Sequence, residues 1–522
     1  MELLNLDLSG PDWGLMSPQL IVFGLAIALL LGDAFLPRRL HATWLTGLSL
    51  VGYSASMVML YWQHERAEST FRGMFRADGL TVFLSVIILT AAILSVMVSA
   101  SYIETLEGRL PVGEFYLLLA FSVLGALITS AAGDLVMIFV GIELSSLATY
   151  VLTAFAKRRA TSLEGALKYF VLGIFASAIL VYGMTWTYGL TGATNLDEIS
   201  SYMRTISDGG RLEPSILLAL LLLVVGLGFK IAAVPFHMWT PDAYDGAPTP
   251  VTGFMSVAPK AAGFAALIRI FVQGLTPLRD DWYLLIAVLA VLTMIFGNVV
   301  AVAQTNVKRM LAYSSIAHTG YMMVGLAAYQ VTGGFGAGGD DGSVTTSLAG
   351  GEDGISSLLY YILAYTFMNI GAFAVITWVQ HRGRGMDLDD FAGLAAKQPL
   401  AAAAMAVFMV SLMGIPPLIG FYAKYYVILA AIQADLLWLA IVVVLASAIS
   451  AYFYLRVVAV MYFNSNDDRL RTVSTPMLNL GIGAMVVANV VLGLFSQRLI
   501  DLADHWADAL TVATQATSTI IK

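Results

Sequence analysis

Four ionisable residues lie far inside apolar stretches of the sequence: Glu143, Lys230, Lys260 and Lys424. A charge at the centre of a membrane helix costs about 2.5–3.5 kcal/mol on insertion scales, so such residues pair with one another and mark ion or proton pathways. Burial in general favours a neutral amine, while a nearby carboxylate favours the charged one. A lysine whose partner moves or changes charge can therefore bind and release a proton, and the chemistry predicted for these four residues is proton transfer.

Each of these residues also has a structural interpretation. Glu143, in LVMIFVGIELSSLATYVLTAF, is expected to pair with a buried lysine; the alternative is a neutral acid bonded to a neighbouring hydroxyl. The lysines could instead snorkel to the membrane surface. Snorkelling is the favoured interpretation for Lys168, Arg269 and Arg456, which lie nearer to the ends of their apolar stretches. Lys168 follows Glu164 by four residues, as in a helix-surface ion pair, and its role stays open.

Two histidines, His237 and His318, lie within or beside apolar stretches. Lone histidines on different spans are weak indicators of haem, and a metal site requires more ligands. His318 lies in SSIAHTGY with Ser314, Ser315 and Tyr321, which fits a proton relay better. A hydrogen-bonded core histidine is the alternative.

Prolines accompany the lysines. Pro235 follows Lys230 after four intervening residues, and Lys260 directly follows Pro259. Proline removes a backbone donor and interrupts a helix. In a membrane, interrupted backbone is tolerated where it is buried in protein or lines a wet cavity. The two amines are therefore predicted to lie beside helix irregularities in the protein interior.

The composition identifies the setting as a membrane. The chain has 522 residues, of which 59% are hydrophobic and only 12% charged, whereas soluble domains carry about 25% charged residues. Basic clusters typical of nucleic-acid binding are absent, so no nucleic-acid partner is expected. The chain has no cysteine, which excludes cysteine-held iron–sulfur clusters, cysteine zinc sites and disulfides. We expect no cofactor or metal to be bound by this chain.

The elements that carry the lysines are predicted to be transmembrane helices. The sequence contains about fourteen apolar spans of roughly 18–27 residues, without a soluble domain between them, so 1–522 is expected to be one all-α membrane domain. Spans seven and eight are predicted at Ile216–Phe236 and Val251–Phe271. The twelfth begins near Pro399, is interrupted at GIPPLIG and resumes at residues 422–432.

An internal repeat is predicted from the two interrupted spans. The seventh span has Lys230 near Pro235, and the twelfth has Lys424 near Pro416 and Pro417. The two spans are an odd number of spans apart, so the two copies face opposite sides of the membrane. Inverted repeats with discontinuous helices near the midplane are typical of transporters.

Loop charges predict the orientation. With the N-terminus outside, the cytoplasmic loops contain most of the basic residues and the external loops most of the acidic ones, so both termini are expected outside. The cytoplasmic basic residues would be Arg38, Arg39, Arg109, Lys157, Arg158, Arg159, Lys308, Arg309, Arg382, Arg384, Lys397, Arg469 and Arg471; the external acids include Asp340, Asp341 and Asp353. Because no basic residue precedes Arg38, the first apolar stretch is expected to be a retained span. The expected location of this multi-pass protein is the bacterial plasma membrane.

One glycine-rich motif, Gly334 to Gly339, matches G-x-G-x-x-G. A predicted strand does not precede it and a helix does not follow it directly, so we interpret it as an external linker and not as a nucleotide site.

The stretch PFHMWTPDAYDGAPTPVTGF, between Lys230 and Lys260, resembles the antiporter-like membrane subunits of respiratory complex I, the N-type subunits most closely. QTNVKRMLAYSSIAHTGYM and GIPPLIGFYAKYY are similar to other segments of that family. The resemblance covers nearly the whole chain. It implies fourteen helices with two inverted five-helix repeats, 113–271 (spans four to eight) and 282–462 (spans nine to thirteen).

The resemblance also implies roles for single residues. The family's glutamate on the fifth span and lysine on the seventh correspond to Glu143 and Lys230, its central lysine to Lys260, and its terminal lysine to Lys424. The M-type subunit has a glutamate at the terminal position and the L-type has a long C-terminal arm, so Lys424 and the short tail after Leu494 both argue for the N type.

The function implied is proton translocation within NADH–quinone oxidoreductase, by a subunit without a redox centre of its own. NADH, FMN, iron–sulfur clusters and quinone would be bound elsewhere in the complex. The expected partners are other membrane subunits, including other antiporter-like ones, and lipids. The alternatives are a subunit of a multi-subunit cation/proton antiporter or of a membrane-bound hydrogenase, and an inert membrane scaffold. A scaffold would have no reason to hold four unpaired charges, at about 10 kcal/mol in total, in apolar spans.

Overall fold

The computed structural model describes residues 11–37, 41–63, 68–106, 112–207, 213–330, 354–465, 473 and 475–505. The glycine-rich motif at 334–339 lies outside the described residues. So do several of the loop charges used to predict the orientation: Arg38, Arg39, Arg109, Asp340, Asp341, Asp353, Arg469 and Arg471. Helices dominate because an apolar segment in lipid must satisfy its own backbone hydrogen bonds.

Within the described residues there are nineteen α-helices and one two-stranded hairpin. The elements are α1 Ser17–Phe35, α2 His41–Tyr61, β1 Glu68–Thr70, β2 Phe75–Ala77, α3 Gly79–Leu106, α4 Val112–Ser130, α5 Leu135–Thr153, α6 Ala160–Thr191, α7 Leu196–Ser207, α8 Pro214–Ile231, α9 Thr240–Gly246, α10 Thr249–Met255, α11 Ala258–Leu267, α12 Arg279–Val302, α13 Val307–Ala327, α14 Gly354–His381, α15 Leu394–Lys397, α16 Pro399–Met413, α17 Ile419–Gln433, α18 Leu437–Phe463 and α19 Pro476–Leu494. A π-helical turn, Ile268–Gly274, extends α11.

The prediction of an all-α polytopic membrane protein is confirmed; the small antiparallel hairpin is an addition to it. In the described part of the chain, twelve helical stretches are long and apolar enough to cross a membrane. Helix α13 and the pair α16–α17 lie where the tenth and twelfth spans are predicted. Helix α13 is less apolar because it carries many polar side chains, most of which are buried. The count of fourteen spans and the two repeats remain predictions.

Both predicted interruptions are present. Helix α8 ends at Ile231 and is followed by Ala232 at φ 64°. Helix α16 ends at Met413, and the chain turns at Gly414, at φ 89°, where glycine is favoured because it lacks a Cβ. Helix α17 then begins at Ile419, three residues before the predicted restart. The eighth span is interrupted as well, between α10 and α11, directly before Pro259 and Lys260.

The connections between helices form two opposite edges. At one edge the hairpin packs on the α4–α5 turn, where Arg76 N donates to Ala131 O at 2.8 Å, and Asp134 pairs with Asn195 before α7. At the other edge Asn306, before α13, pairs with Asp387, after α14. At each edge, the contacts join loops that the predicted spans place on the same side of the membrane. Which edge faces the cytoplasm remains a prediction.

Candidate functional site

Glu143 and Lys230 form a buried ion pair, with 2.7 Å between Oε1 and Nζ. Lys230 Nζ also donates to Ser146 Oγ at 3.1 Å and to Ser177 Oγ at 3.0 Å, so its three N–H groups are all satisfied. Ser177 Oγ in turn donates to Glu143 Oε1 at 2.6 Å. Glu143 and Ser146 meet the same ammonium because residues three apart share one face of α5. The prediction that Glu143 pairs with a buried lysine is confirmed.

The two partners differ in exposure. The side chain of Lys230 is 6% exposed and that of Glu143 20%. Glu143 borders a lateral groove of about 490 Å³ between α5 and α6, lined also by Phe139, Ile174 and Tyr182. The carboxylate is therefore the member of the pair that something outside the chain can approach.

Lys260 is buried among neutral acceptors. Its Nζ donates to Ser315 O at 2.8 Å, Ser315 Oγ at 2.7 Å and Thr319 Oγ1 at 2.9 Å. Among the described residues no carboxylate lies within ion-pair distance of this amine. Thr319 Oγ1 donates to Ile231 O at 2.9 Å, on the residue that follows Lys230. One hydroxyl thus connects Lys260 to the end of the helix that carries Lys230.

His318 lies between two tyrosine hydroxyls. Its Nδ1 is 2.8 Å from Tyr361 Oη, and its Nε2 is 3.0 Å from Tyr454 Oη. Tyr454 Oη also lies 2.5 Å from Ser314 Oγ. Because a hydroxyl both donates and accepts, either neutral tautomer of the ring can be satisfied here. The arrangement can exchange the tautomers, as a proton relay requires, and it equally satisfies a structural histidine.

Lys424 bridges the interruption between α16 and α17. Its Nζ donates to Met413 O at 2.9 Å and lies 5.0 Å from the ring centroid of Tyr321. The last carbonyls of a helix have no intrahelical partner and carry a partial negative charge. Lys230 likewise lies in the last turn of its helix, α8. The ammonium of Lys424 thus lies at a negative helix end, whereas that of Lys230 is bound by Glu143, Ser146 and Ser177.

Helix α13 connects these sites. Ser315 and Thr319 on one face hold Lys260, while Ser314, His318 and Tyr321 face the tyrosines and Lys424. Glu143, Lys230, Lys260, His318 and Lys424 form a row of titratable residues, but among the described residues no hydrogen bond joins His318 directly to either lysine. In the first section of the row, the Lys230–Glu143 pair and Lys260 are linked only through Thr319 and the backbone of Ile231. The second section contains His318 and Lys424.

The snorkelling prediction for Arg269 is wrong. Its side chain is fully buried, and its two Nη atoms donate to the Asp78 carboxylate at 2.5 and 2.7 Å and to Thr81 Oγ1 at 2.7 Å. Burial opposes ionisation of Asp78, but the Arg269 guanidinium holds the pKa of that carboxyl below its usual value. The arginine stays inside because Asp78, at the start of α3, supplies a partner.

The other cations predicted to snorkel differ from Arg269. Lys168 is 45% exposed and pairs with Glu164 at 2.6 Å, so the predicted helix-surface pair is confirmed. It also reaches Asp242 at 2.8 Å. Arg456 is half-buried and lies 3.5 Å from Gln304 O. His237, the second histidine considered, packs edge-on against Phe296.

A charged cluster around Asp242 was missed by the sequence analysis. Arg309 Nη2 lies 2.9 Å from Asp242 Oδ1, on the carboxylate that also binds Lys168. Burial raises the pKa of Asp242. The hydrogen bond from Lys168 and the charge of Arg309 lower this pKa by more than burial raises it, so it lies below its usual value. The fully buried Lys308 donates to Asp245 O at 3.1 Å and Ala247 O at 2.5 Å. The only sequence signal was the charge of these residues, since their partners lie more than sixty positions away.

The fold and these side chains define a class of protein: a polytopic helical membrane protein whose interrupted helices carry titratable residues in its interior. The family model for NADH:quinone oxidoreductase/Mrp antiporter membrane proteins matches residues 132–337 and 342–450. NADH-quinone oxidoreductase subunit N 1 of Koribacter versatilis is 41% identical over 97% of this chain and 97% of its own length. Subunit N of Trichlorobacter lovleyi is 43% identical over 86% of this chain and 88% of its own length. The chain belongs to the family of NADH-quinone oxidoreductase subunit N.

Solved structures agree with this. A chain of respiratory complex I from Thermus thermophilus superposes with a TM-score of 0.74 at 31% identity, covering 92% of this chain and 98% of its own. A chain of the Mrp complex from Dietzia superposes with a TM-score of 0.79 at 20% identity, covering 98% of this chain and 100% of its own. At 20% identity, the similarity to the chain of the Mrp complex concerns the fold alone. The resemblance to antiporter-like subunits of complex I is confirmed.

Proposed function

We propose that this chain is the proton-translocating N-type membrane subunit of a bacterial NADH-quinone oxidoreductase. The observation that carries the proposal is the connection of Lys260, through Thr319, to the end of the helix that holds the Lys230–Glu143 pair. Electron transfer in other subunits would bias the charge states of this row. NADH, FMN, iron–sulfur clusters and quinone are proposed to bind there, and the other antiporter-like membrane subunits and lipids are the proposed partners.

The direction of transfer is part of the proposal. Protons enter around Lys260, are exchanged with Lys230 under the control of Glu143, and leave towards Lys424, with His318 as a relay in the second section. Neutralising Glu143 removes the charge that holds the Lys230 ammonium, and one pKa unit corresponds to only about 1.4 kcal/mol. Small rearrangements at the Glu143 groove therefore suffice to change the proton occupancy of Lys230.

A subunit of a cation/proton antiporter is the second candidate, favoured by the fold shared with the Mrp complex. The identity to N-type subunits along nearly the whole chain favours the oxidoreductase. Co-purification separates the two: NADH-oxidising subunits support the first candidate, and a cation antiporter assembly in their place contradicts it.

The proposed role is tested with Lys230→Met, which removes the titratable amine and keeps roughly the same volume. Assembly is checked separately, because removing one partner of a buried ion pair typically destabilises by about 3–5 kcal/mol. We expect NADH-driven quinone reduction and proton uptake by reconstituted vesicles to fall severely. Both activities should fall to a similar extent in Glu143→Gln and to a smaller extent in Glu143→Asp. Lys168→Met, which removes an exposed amine, is the control with a small effect. Normal pumping by an assembled Lys230→Met complex would contradict the proposal.

A further inference from the structure

A second cavity of about 490 Å³ lies away from the lysine row, at the edge that carries the Lys157–Arg159 loop. It opens beside Tyr102 near the end of α3, where α10 begins at Thr249 and where α14 ends at His381. The cavity therefore lies where the ends of three helices meet at the predicted cytoplasmic surface.

The lining of this cavity is strongly basic. It includes Lys157, Arg158, Arg159 and Arg384, and none of its lining residues is Asp or Glu. In the part of the chain that the structure describes, Lys157, Arg158 and Arg159 form no ion pair. Asp390 lies at the rim against Gly385, and its carboxylate accepts the backbone N–H of Asp387. Among the described residues, one carboxylate against four cations leaves a net positive charge at the cavity, whereas Lys168 and Arg309 are both paired with Asp242.

The basic groups are held in place by the fold. Arg384 is only 9% exposed, and its Nη1 donates to Asp390 O at 2.8 Å and Ala392 O at 3.0 Å. Thr249 Oγ1 donates to Gln380 Oε1 at 2.6 Å, which leaves the amide nitrogen of Gln380 as a donor. A fixed guanidinium, an exposed basic loop and an amide donor around one concavity match the geometry of a phosphate group.

We propose that this cavity binds a phosphate group, carried either by an anionic phospholipid or by a soluble phosphate compound. Basic pockets between membrane helices on the cytoplasmic side are suited to anionic headgroups, and the attraction extends to about a Debye length. The same positive potential repels protons, so the cavity is poorly suited to proton uptake. A loop that only sets the orientation of the protein requires charge but no cavity and no fixed arginine.

The probe is a photoreactive phosphatidylglycerol, added to the purified detergent-solubilised complex, with cross-links mapped by mass spectrometry. We expect cross-links at residues 156–159 and 377–386. Lys and Arg near a membrane surface each contribute to the attraction, so Arg158→Gln combined with Arg159→Gln should weaken labelling on the order of tenfold. The matched control removes two basic residues at the same edge but outside the cavity, Lys397→Gln with Arg456→Gln, and should label as the wild type does.

Competition identifies the source of the phosphate. If unlabelled phosphatidylglycerol reduces the labelling and inorganic phosphate does not, the site binds a lipid. If inorganic phosphate reduces the labelling, the site binds a soluble compound. Arg158→Lys with Arg159→Lys keeps the loop charge and should retain most of the labelling. Equal competition by zwitterionic phosphatidylethanolamine, or a double Gln variant that labels as the wild type does, overturns the proposal. The wild-type competition decides the question even where the variant fails to assemble.

Discussion

Lys424 Nζ donates to the backbone carbonyl of Met413 at 2.9 Å, across the interruption between α16 and α17. The amine of the second helical segment thus binds the C-terminal end of the first. Gly414 makes this approach possible, because a Cβ at that position would lie 2.9 Å from Lys424 Cδ. The lysine proposed to carry protons is therefore also the side chain that satisfies a helix end.

Two substitutions separate these roles of Lys424. Lys424→Arg keeps a positive charge near the end of α16 but cannot release its proton, because guanidinium stays protonated. Lys424→Met removes both the charge and the donor. We expect the Arg variant to assemble nearly normally and to lose proton translocation, and the Met variant to lose translocation and part of its stability. The measurements are the amount of assembled complex and proton uptake in vesicles; normal uptake with arginine would show that the charge alone is needed.

The pair Arg269–Asp78 is predicted to be structural. Arg269→Met leaves Asp78 as a buried unpaired carboxylate, and removal of one partner of a buried pair costs about 3–5 kcal/mol. We expect a strong loss of assembled complex. Because the folded state holds the pKa of Asp78 below its usual value, this stabilisation is present above the ordinary carboxyl pKa of about 3.9 and is lost as the pH falls through the lowered value.

The double variant Arg269→Met with Asp78→Leu removes both charges and should recover part of the loss, as apolar replacements of buried ion pairs do. Thermal unfolding of the purified complex measures the recovery. A double variant less stable than Arg269→Met alone would contradict a purely structural role for the pair.

What the sequence could predict depended on local signals. The pairing of Glu143 followed from the high cost of an isolated acid in lipid, and the interruption before Lys424 followed from GIPPLIG. Arg269 was misjudged because its partner lies 191 residues away and no periodicity connects them. The order of contacts along α13 depends on how helices pack, which a single sequence does not contain.

The orientation is tested by a matched pair of single cysteines in a chain that has none of its own. Arg158→Cys lies at one edge and Ser69→Cys at the hairpin on the other, and both positions are exposed. We expect a membrane-impermeant maleimide applied outside intact cells to label this chain at residue 69 only. Labelling at residue 158 only would show that the orientation is opposite to the predicted one.

Asp242 is predicted to stabilise the packing of α9 against α6 and α13, because its carboxylate pairs with Lys168 on α6 and with Arg309 on α13. Asp242→Asn keeps the shape and removes the charge. The partners are partly exposed, so we expect a modest decrease of the melting temperature of the complex at neutral pH and low salt, with less effect at high salt. The folded state lowers the pKa of Asp242, so its contribution is present above the ordinary carboxyl pKa and disappears as the pH falls through the lowered value.

The matched control is Glu164→Gln, which removes the other carboxylate that contacts Lys168 but joins no second helix. We expect its effect on the melting temperature to be smaller than that of Asp242→Asn, because a pair within one helix does not hold separate elements together. Melting curves at neutral pH and at a pH well below the ordinary carboxyl pKa, each at low and high salt, complete the measurement. If the difference in melting temperature between Asp242→Asn and the wild type is equal under all four conditions, the charge of Asp242 does not stabilise the packing of α9.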